Sequence, residues 1–281
     1  MAEDLDKWEG FYNAYARTIG TLDRDEPWRV WHATKGEFPT DDDIAHLDGF
    51  VMSGSHYSAY EDLPWIHSNL EFIRKAYAAA EASKKAAAAA AERGDTPTPV
   101  HPKLVGICFG CQAAATALGG VVDKNGIEDF TLKSEGLSLT DVAAAKPYMA
   151  PMVEHAKAAA AAGAGDETKA CEDEPAIYLL QSHGDRVHKL PEGSEVVATS
   201  KTAPLEMWEL NDIVLSVQGH PEFETSTLMT NIFPTIQERL CWDEVESERR
   251  RVEAERPHTH DAIRATLRQF LTGGAEWAVD A

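Results

Sequence analysis

Cys108 is the residue of this chain whose surroundings most favour chemistry. It follows an apolar run, glycines at 106 and 110 bracket it, and a helix-forming stretch begins directly after it. Glycines here let the backbone turn sharply from strand to helix, so that the cysteine projects clear of the sheet. The unpaired N–H groups and the dipole of a helix N-terminus favour a thiolate. The segment therefore predicts a reactive cysteine at a nucleophile elbow.

A second apolar run, residues 213–217, leads into QGHPE and supplies the base that a nucleophilic cysteine needs. His220 can deprotonate the thiol and later protonate a leaving amine, while Glu222 can hold the imidazole in the right tautomer. Cys108 and His220 both follow predicted strands, at the carboxyl ends where open α/β sheets place their ligand crevices. The sequence predicts a Cys108–His220–Glu222 triad that needs no metal and no organic cofactor.

Four motifs, in order along the chain, resemble those of the class I glutamine amidotransferases. Residues 106–112 (GICFGCQ) are similar to the GxCxGxQ elbow of that family, and residues 218–222 (QGHPE) to its HPE motif. Residues 50–55 (FVMSGS) are similar to its oxyanion-loop strand, and residues 181–185 (QSHGD) to its SHGD loop. Within the family, the motifs look most similar to those of the stand-alone gamma-glutamyl peptidases.

The resemblance runs from about Trp8 to Phe223. It implies a doubly wound, mostly parallel open α/β sheet with helices on both faces and the triad at the carboxyl edge. Residues 1–7 are too polar to form the buried first strand of that family. We therefore expect the sheet to lack this strand, or the chain to be a shortened version of a longer one.

The resemblance also implies an oxyanion hole beside the elbow. The backbone N–H of Ser55, next to Gly54, would join that of Phe109 to hold the tetrahedral oxyanion. Gln112 would face the crevice and help to hold the glutamyl group of the substrate.

The loop that contains Ser182 and His183 would either line the substrate pocket or form a turn. Cys111 stands where members of the family usually have His or Met. It either fills that space or forms a disulfide with Cys108, since thiols with two residues between them at a helix start can approach closely.

Other sites are less well supported. Cys108 and Cys111 could form a thioredoxin-like redox pair or half of a zinc site, but no second CxxC exists and a redox pair would not need the HPE segment. His258 and His260 are only two residues apart in a polar segment, so we expect solvated surface there and no metal.

The composition limits the classes of partner that we expect. Asp and Glu number 47 against 26 Lys and Arg, and the net charge of −21 would repel a phosphate backbone, so we expect no nucleic acid. No apolar stretch could span a membrane and no signal peptide is evident, so we expect a cytoplasmic protein without a membrane partner. Four cysteines do not suggest a disulfide scaffold in 281 residues.

The length fits one domain, residues 1–281. Strands are predicted at 28–32, 49–53, 103–107 and 176–181, a helix from Pro64 to Arg93, and an edge hairpin from the strands at 195–199, 205–210 and 213–218. The Ala-rich stretch 140–174 predicts a surface insertion that is half helical and half mobile. A helical tail is predicted from about 224.

Three functions remain open. A gamma-glutamyl peptidase would act on a small γ-glutamyl substrate such as a glutathione conjugate. A glutaminase would pass ammonia to a synthase partner, yet the chain ends about sixty residues after Glu222 without a synthase domain, which favours the peptidase. The third is a non-catalytic binding protein on the same scaffold.

Overall fold

The computed structural model describes residues 15–16, 18–20, 28–96, 98–163 and 176–273. Its strands are β1 Gly49–Met52, β2 Lys103–Ile107, β3 Val121–Lys124, β4 Thr131–Leu139, β5 Ile177–His183, β6 Asp185–Lys189, β7 Glu195–Thr199, β8 Met207–Leu210 and β9 Val214–Val217. Its helices are α1 Asp41–His46, α2 Pro64–Glu92, α3 Phe109–Ala117, α4 Asp141–Ala145, α5 Ala150–Gly163, α6 Phe233–Leu240, α7 Glu244–Ala254 and α8 His260–Thr272. Short helical turns lie at Ala33–Lys35, Pro147–Met149 and Thr225–Thr227, and the last leads into a π-helical segment at Leu228–Ile232.

The centre of the fold is a seven-stranded sheet with the strand order β1-β2-β9-β8-β7-β4-β5. β1, β2 and β9 run parallel to one another. The remaining strands extend the sheet through antiparallel pairs. β3 and β6 form a separate antiparallel pair. Because parallel strands end at the same edge, the segments that follow β1, β2 and β9 meet there.

Helices cover both faces of the sheet. Side chains alternate along a strand, so Leu104 of β2 packs in the cluster formed with α2 and α3, whereas Val105 and Ile107 pack in the cluster formed with α5 and α8. The strands of the parallel part are accordingly apolar on both faces. The expected α/β fold with an open sheet between two helical layers is confirmed.

The predicted helix from Pro64 is confirmed as α2, which ends at Glu92. Proline suits a first helical turn, and the following Ala, Glu and Lys residues are strong helix formers. Ile66, Leu70 and Ile73 recur at helical spacing and are buried against the sheet.

Two predictions about strands are wrong. Residues 28–32 form no strand in the described structure; Trp31 instead packs on Phe50, with ring centroids 6.2 Å apart. The β8–β9 hairpin lies inside the sheet, because β9 also pairs with β2. Its turn places Asn211 and Asp212 in the left-handed region, which these residue types adopt more readily than most.

The segment at 140–174 is helical where it is described. Met149 and Met152 are fully buried, and α5 packs against α8. Residues 164–174 lie outside the described residues, as do residues 1–14, where the first strand was expected to be absent. The chain from 225 to 272 is mostly helical, and α8 lies on the sheet with Ile263, Leu267 and Phe270 buried. No described helix is long and apolar enough to cross a membrane.

Candidate active site

Cys108 occupies the sharp turn between β2 and α3 with φ 52° and ψ −106°, a conformation that L residues rarely adopt. Neighbouring glycines make the turn possible. A Cβ on Gly106 would lie 2.7 Å from the carbonyl oxygen of Gly110, and a Cβ on Gly110 would lie 2.2 Å from that of Met52. The elbow therefore depends on backbone contacts that any larger side chain would break.

Parallel pairing of β2 with β9 brings the cysteine to the HPE segment. The N–H of Cys108 donates to the carbonyl oxygen of Val217 at 2.9 Å, and the N–H of His220 donates to that of Leu180 at 2.8 Å. Two residues 112 positions apart in the chain thus lie at the same edge of the sheet.

His220 and Glu222 form a buried pair. Nδ1 of His220 lies 2.7 Å from Oε1 of Glu222, and the imidazole stacks on Phe223 with ring centroids 4.3 Å apart. Burial lowers the pKa of His220, but the charges of Glu222 and Cys108 outweigh burial, so this pKa lies well above its ordinary value. The imidazole therefore favours its protonated form and places a positive charge beside Cys108.

The loop after β1 approaches the elbow from the other side. The N–H of Gly110 donates to the carbonyl oxygen of Ser53 at 3.1 Å. A Cβ on Gly54 would lie 3.0 Å from Cε1 of His220 and 3.7 Å from Cβ of Cys108. The main chain of this loop is therefore part of the wall around the cysteine, with half-buried Ser55 following it.

The N–H of Gly54 is already engaged, because it donates to the hydroxyl of Tyr15 at 3.2 Å. The N–H of Phe109 begins α3 and belongs to the first helical turn, whose N–H groups lack intrahelical partners. Of the three residues expected at an oxyanion hole, Ser55 and Phe109 thus keep this role as a hypothesis.

Two of the three expected substrate contacts, Gln112 and His183, are buried and contact other groups of the protein. Gln112 is buried, and its Nε2 donates to the backbone oxygen of Asp185 at 3.0 Å and to Oε1 of Gln218 at 3.2 Å. His183 is buried with Nδ1 3.0 Å from the same backbone oxygen. Mainly because of burial, the pKa of His183 falls to about 3, so its ring is neutral. The thiol of Cys108 points to the carbonyl oxygen of Ser182 at 3.9 Å.

Cys111 faces the core. It is fully buried, and its Sγ accepts a hydrogen bond from the indole N–H of Trp208 at 3.2 Å. Burial raises its pKa far above that of an ordinary thiol. The geometry supports a packing role for Cys111.

The His258–His260 segment differs from the expected solvated surface. His260 is buried at the start of α8, and its Nε2 accepts the N–H of Leu180 at 3.2 Å. The two histidine rings stack with centroids 3.8 Å apart. Mainly through burial, the pKa of His260 falls to about 2. Within the residues that the structure describes, no cluster of His, Cys, Asp or Glu could hold a metal ion.

Two residues near the site are not predicted by the sequence patterns. Tyr15 donates its hydroxyl to Oε1 of Glu222 at 2.8 Å. Glu206 is fully buried behind the HPE segment, where its Oε1 accepts the N–H of Gly219 at 2.9 Å. Neither residue belongs to a recognisable motif. The Tyr15–Glu222 contact joins positions 207 apart, whereas Glu206 and Gly219 are 13 positions apart.

The sequence pattern of the class-I glutamine amidotransferases matches residues 66–236, more than half of the chain. The chain belongs to this family. The elbow and the HPE segment both lie within the matched range.

Relatives in this family include gamma-glutamyl peptidases and synthases. The chain is 28% identical to gamma-glutamyl peptidase 4 of Arabidopsis thaliana over 220 residues, which is 78% of this chain and 70% of the relative. It is 36% identical to GMP synthase of Agrobacterium fabrum, but over only 101 residues, 36% of this chain and 15% of that protein.

A solved glutamine amidotransferase from Thermotoga maritima has the same fold. It superimposes with a TM-score of 0.57 at 14% identity and covers 93% of this chain and 91% of its own. At this low identity, the class-I amidotransferase fold is what the two chains share.

Proposed function

We propose that this protein is a cysteine-dependent hydrolase of γ-glutamyl amide bonds, with Cys108, His220 and Glu222 as its catalytic triad. The observation that carries the proposal is the pairing of a strained elbow cysteine with a buried His–Glu pair that follows the neighbouring strand. A nucleophile beside a base that a third group orients is the arrangement of acyl-transfer enzymes.

In the first half of the proposed reaction, the thiolate of Cys108 attacks the γ-carbonyl carbon of the substrate. The carbonyl oxygen becomes an oxyanion, for which the N–H groups of Ser55 and Phe109 are the candidate donors. The tetrahedral intermediate collapses by breaking the C–N bond, and the leaving nitrogen takes a proton from His220. A γ-glutamyl thioester remains on Cys108.

In the second half, water attacks the thioester carbonyl while His220 accepts a proton from the water. The C–S bond breaks, which releases the γ-carboxylic acid and restores the thiolate beside a protonated imidazole. The remaining proton of the acid passes to the solvent. Glu222 holds Nδ1 of the ring throughout. His220 gives one proton to the leaving nitrogen and takes one from the attacking water, so the reaction proceeds with these side chains and water alone.

For the leaving group we propose an amino acid or peptide, as in glutathione and its S-conjugates. The likeness to gamma-glutamyl peptidase 4 extends over 78% of the chain, whereas the likeness to GMP synthase extends over 36%. For the pocket, we propose that Gln112 and His183 fix the 181–185 loop through the backbone oxygen of Asp185, so that Ser182 lines the γ-glutamyl group.

A panel of substrates tests the proposal. Purified protein is incubated with glutamine, glutathione and a glutathione S-conjugate, and free ammonia and free glutamate are measured separately, with Cys108→Ala as the blank. Release of glutamate from glutathione or its conjugate without ammonia is the expected result. Hydrolysis that persists in Cys108→Ala would contradict the triad.

The alternative is a glutaminase that passes ammonia to a separate synthase. It is favoured by the higher local identity to GMP synthase, 36% over 101 residues. Ammonia released from glutamine, with glutathione left intact, would support this reading. If none of the three substrates is hydrolysed, the protein is a binding protein on the amidotransferase scaffold.

A further inference from the structure

Tyr15 joins two parts of the site that the triad itself does not connect. Its hydroxyl donates to Oε1 of Glu222 at 2.8 Å and accepts the N–H of Gly54 at 3.2 Å. Glu222 holds the imidazole of His220, whereas Gly54 precedes Ser55, a proposed oxyanion donor. A single hydroxyl group thus contacts both the HPE segment and the loop after β1.

The carboxylate of Glu222 receives both of its described hydrogen bonds on one oxygen. Nδ1 of His220 lies 2.7 Å from Oε1, which also accepts the hydroxyl of Tyr15. Oε2 is buried and has no hydrogen-bond partner among the described residues. The two donors therefore share one acceptor, and each limits how strongly the other can bind.

The hydroxyl of Tyr15 stays protonated over the working pH range. Burial and then the charge of Glu222 raise its pKa well above its ordinary value. Tyr15 is therefore a permanent donor to the carboxylate.

Helix α8 holds both ends of this contact. Arg268 donates to the carbonyl oxygens of Thr18 and Ile19 at 3.3 and 3.2 Å, and Ile19 is fully buried. Arg264, one turn earlier on the same helix, donates to the carbonyl oxygen of Pro221 at 2.7 Å. The helix thereby fixes the Tyr15 segment and the HPE segment relative to each other.

We propose that Tyr15 is a positioning residue that holds Glu222 and the oxyanion loop in register, and that competes with His220 for one carboxylate oxygen. This inference rests on the hydrolase function proposed above. It predicts two separate effects when the hydroxyl is removed. The first is on the rate, and the second is on the titration of His220.

Tyr15→Phe removes the hydroxyl and keeps the ring. We expect kcat to fall about tenfold, the size expected for one lost hydrogen bond to a charged group. KM should stay near the wild-type value, since the hydroxyl of Tyr15 contacts Glu222 and Gly54 and none of the proposed substrate contacts. The matched control is Tyr148→Phe, because the hydroxyl of Tyr148 lacks a hydrogen-bond partner among the described residues and its ring packs on Phe270. This control should retain full activity.

The titration separates positioning from packing. With Tyr15→Phe, Oε1 of Glu222 interacts with Nδ1 of His220 alone, so the imidazolium is held more strongly. The alkaline limb of the kcat/KM profile, which reports the free enzyme, should therefore move to higher pH. A tyrosine that only fills space would lower activity without moving this limb.

A double-mutant cycle tests the route through Glu222. In a Glu222→Gln background, Tyr15→Phe should cost much less than in the wild type, because the two residues act through one contact. Costs that multiply, or an unmoved alkaline limb, would overturn the inference.

The inference can be tested apart from the proposed substrate. The rate of alkylation of Cys108 by iodoacetamide, followed against pH by peptide mapping, reports the thiolate–imidazolium pair without any turnover. Failure of all γ-glutamyl substrates with a shifted alkylation profile in Tyr15→Phe would reject the function but support the positioning role. Normal hydrolysis with identical alkylation profiles in Tyr15→Phe and wild type would reject the positioning role alone.

Discussion

At the scale of single residues, Cys108 and Cys111 differ in the properties that decide reactivity. Cys108 has a left-handed backbone and lies beside the His220 ring. Cys111 is fully buried, bonded to the Trp208 indole, and its thiol has a pKa raised by burial. A thiol that stays protonated is a poor nucleophile. Three positions along one helix thus separate a reactive sulfur from a packing one.

We therefore expect Cys108→Ala to abolish hydrolysis with the fold intact, and Cys111→Ala to retain most of the activity. The second change leaves the Trp208 indole N–H without its acceptor, so it should lower the free energy of unfolding by about 1–3 kcal/mol. Activity assays and urea unfolding of both variants measure these effects. An active Cys108→Ala beside an inactive Cys111→Ala would reverse the assignment.

His220 and Glu222 should differ in their importance. His220→Asn removes the group that protonates the leaving nitrogen and deprotonates the water, so we expect a loss in kcat/KM of roughly a thousandfold or more. Glu222→Gln removes only an orienting charge and should cost roughly tenfold to a hundredfold. Steady-state kinetics on both variants give the order. Equal losses would indicate that the Glu222 carboxylate contacts the substrate itself.

At the scale of elements, the sequence predicts what is local and misses what depends on distant pairing. The elbow can be predicted because Gly106, Cys108 and Gly110 lie within five consecutive residues. Helix α2 can be predicted because it is a continuous run of helix-forming residues. The sequence predicts the β8–β9 hairpin as a hairpin. Its place inside the sheet, however, depends on the pairing of β9 with β2, which lies about a hundred residues earlier. Sequence periodicity carries no signal for such a partner.

The same limit explains the two missed residues. Tyr15 meets Glu222 across a separation of 207 positions, and nothing in its own segment distinguishes it from a packing aromatic. The sequence predicts Glu206 only as part of a β-hairpin, although the fold buries it completely beneath the HPE segment. Both roles arise only when β9, β8 and α8 are packed together.

Glu206 also links this packing to pH. Burial raises its pKa from 4.5 to about 7, despite hydrogen bonds from Gln181, Ser200 and the N–H of Gly219. The folded protein therefore binds a proton that the unfolded chain has lost between these pH values. The stability from this group is complete below pH 4.5 and is lost as the pH rises through about 7.

Glu206→Gln should remove this dependence, because the amide keeps the shape of the carboxyl group and cannot ionise. Its oxygen can still accept from Gly219, and its nitrogen can donate to Ser200. We expect the free energy of unfolding of the wild type, relative to the variant, to fall by about 3 kcal/mol between pH 4.5 and pH 8. Urea unfolding at several pH values measures the difference, in which other titrating groups cancel. A constant difference would show that Glu206 stays ionised when folded.

At the scale of the whole molecule, the net charge of −21 acts on any charged substrate that approaches the site. The surface potential of such a protein lowers the local concentration of anions, and salt screens this effect within about 10 Å at 0.1 M ionic strength. Glutathione carries a net negative charge at neutral pH. Under the proposed function, its encounter with the site should therefore depend on ionic strength.

We expect KM for glutathione to fall roughly twofold or more as ionic strength rises from about 0.01 M to about 0.15 M, because screening weakens the repulsion. The matched control is γ-glutamyl-lysine, a substrate of the same class whose charges sum to zero, and its KM should stay nearly constant. Initial rates with both substrates across a salt series provide the measurement. If KM for glutathione rose with salt, local cationic groups at the pocket would outweigh the charge of the molecule as a whole.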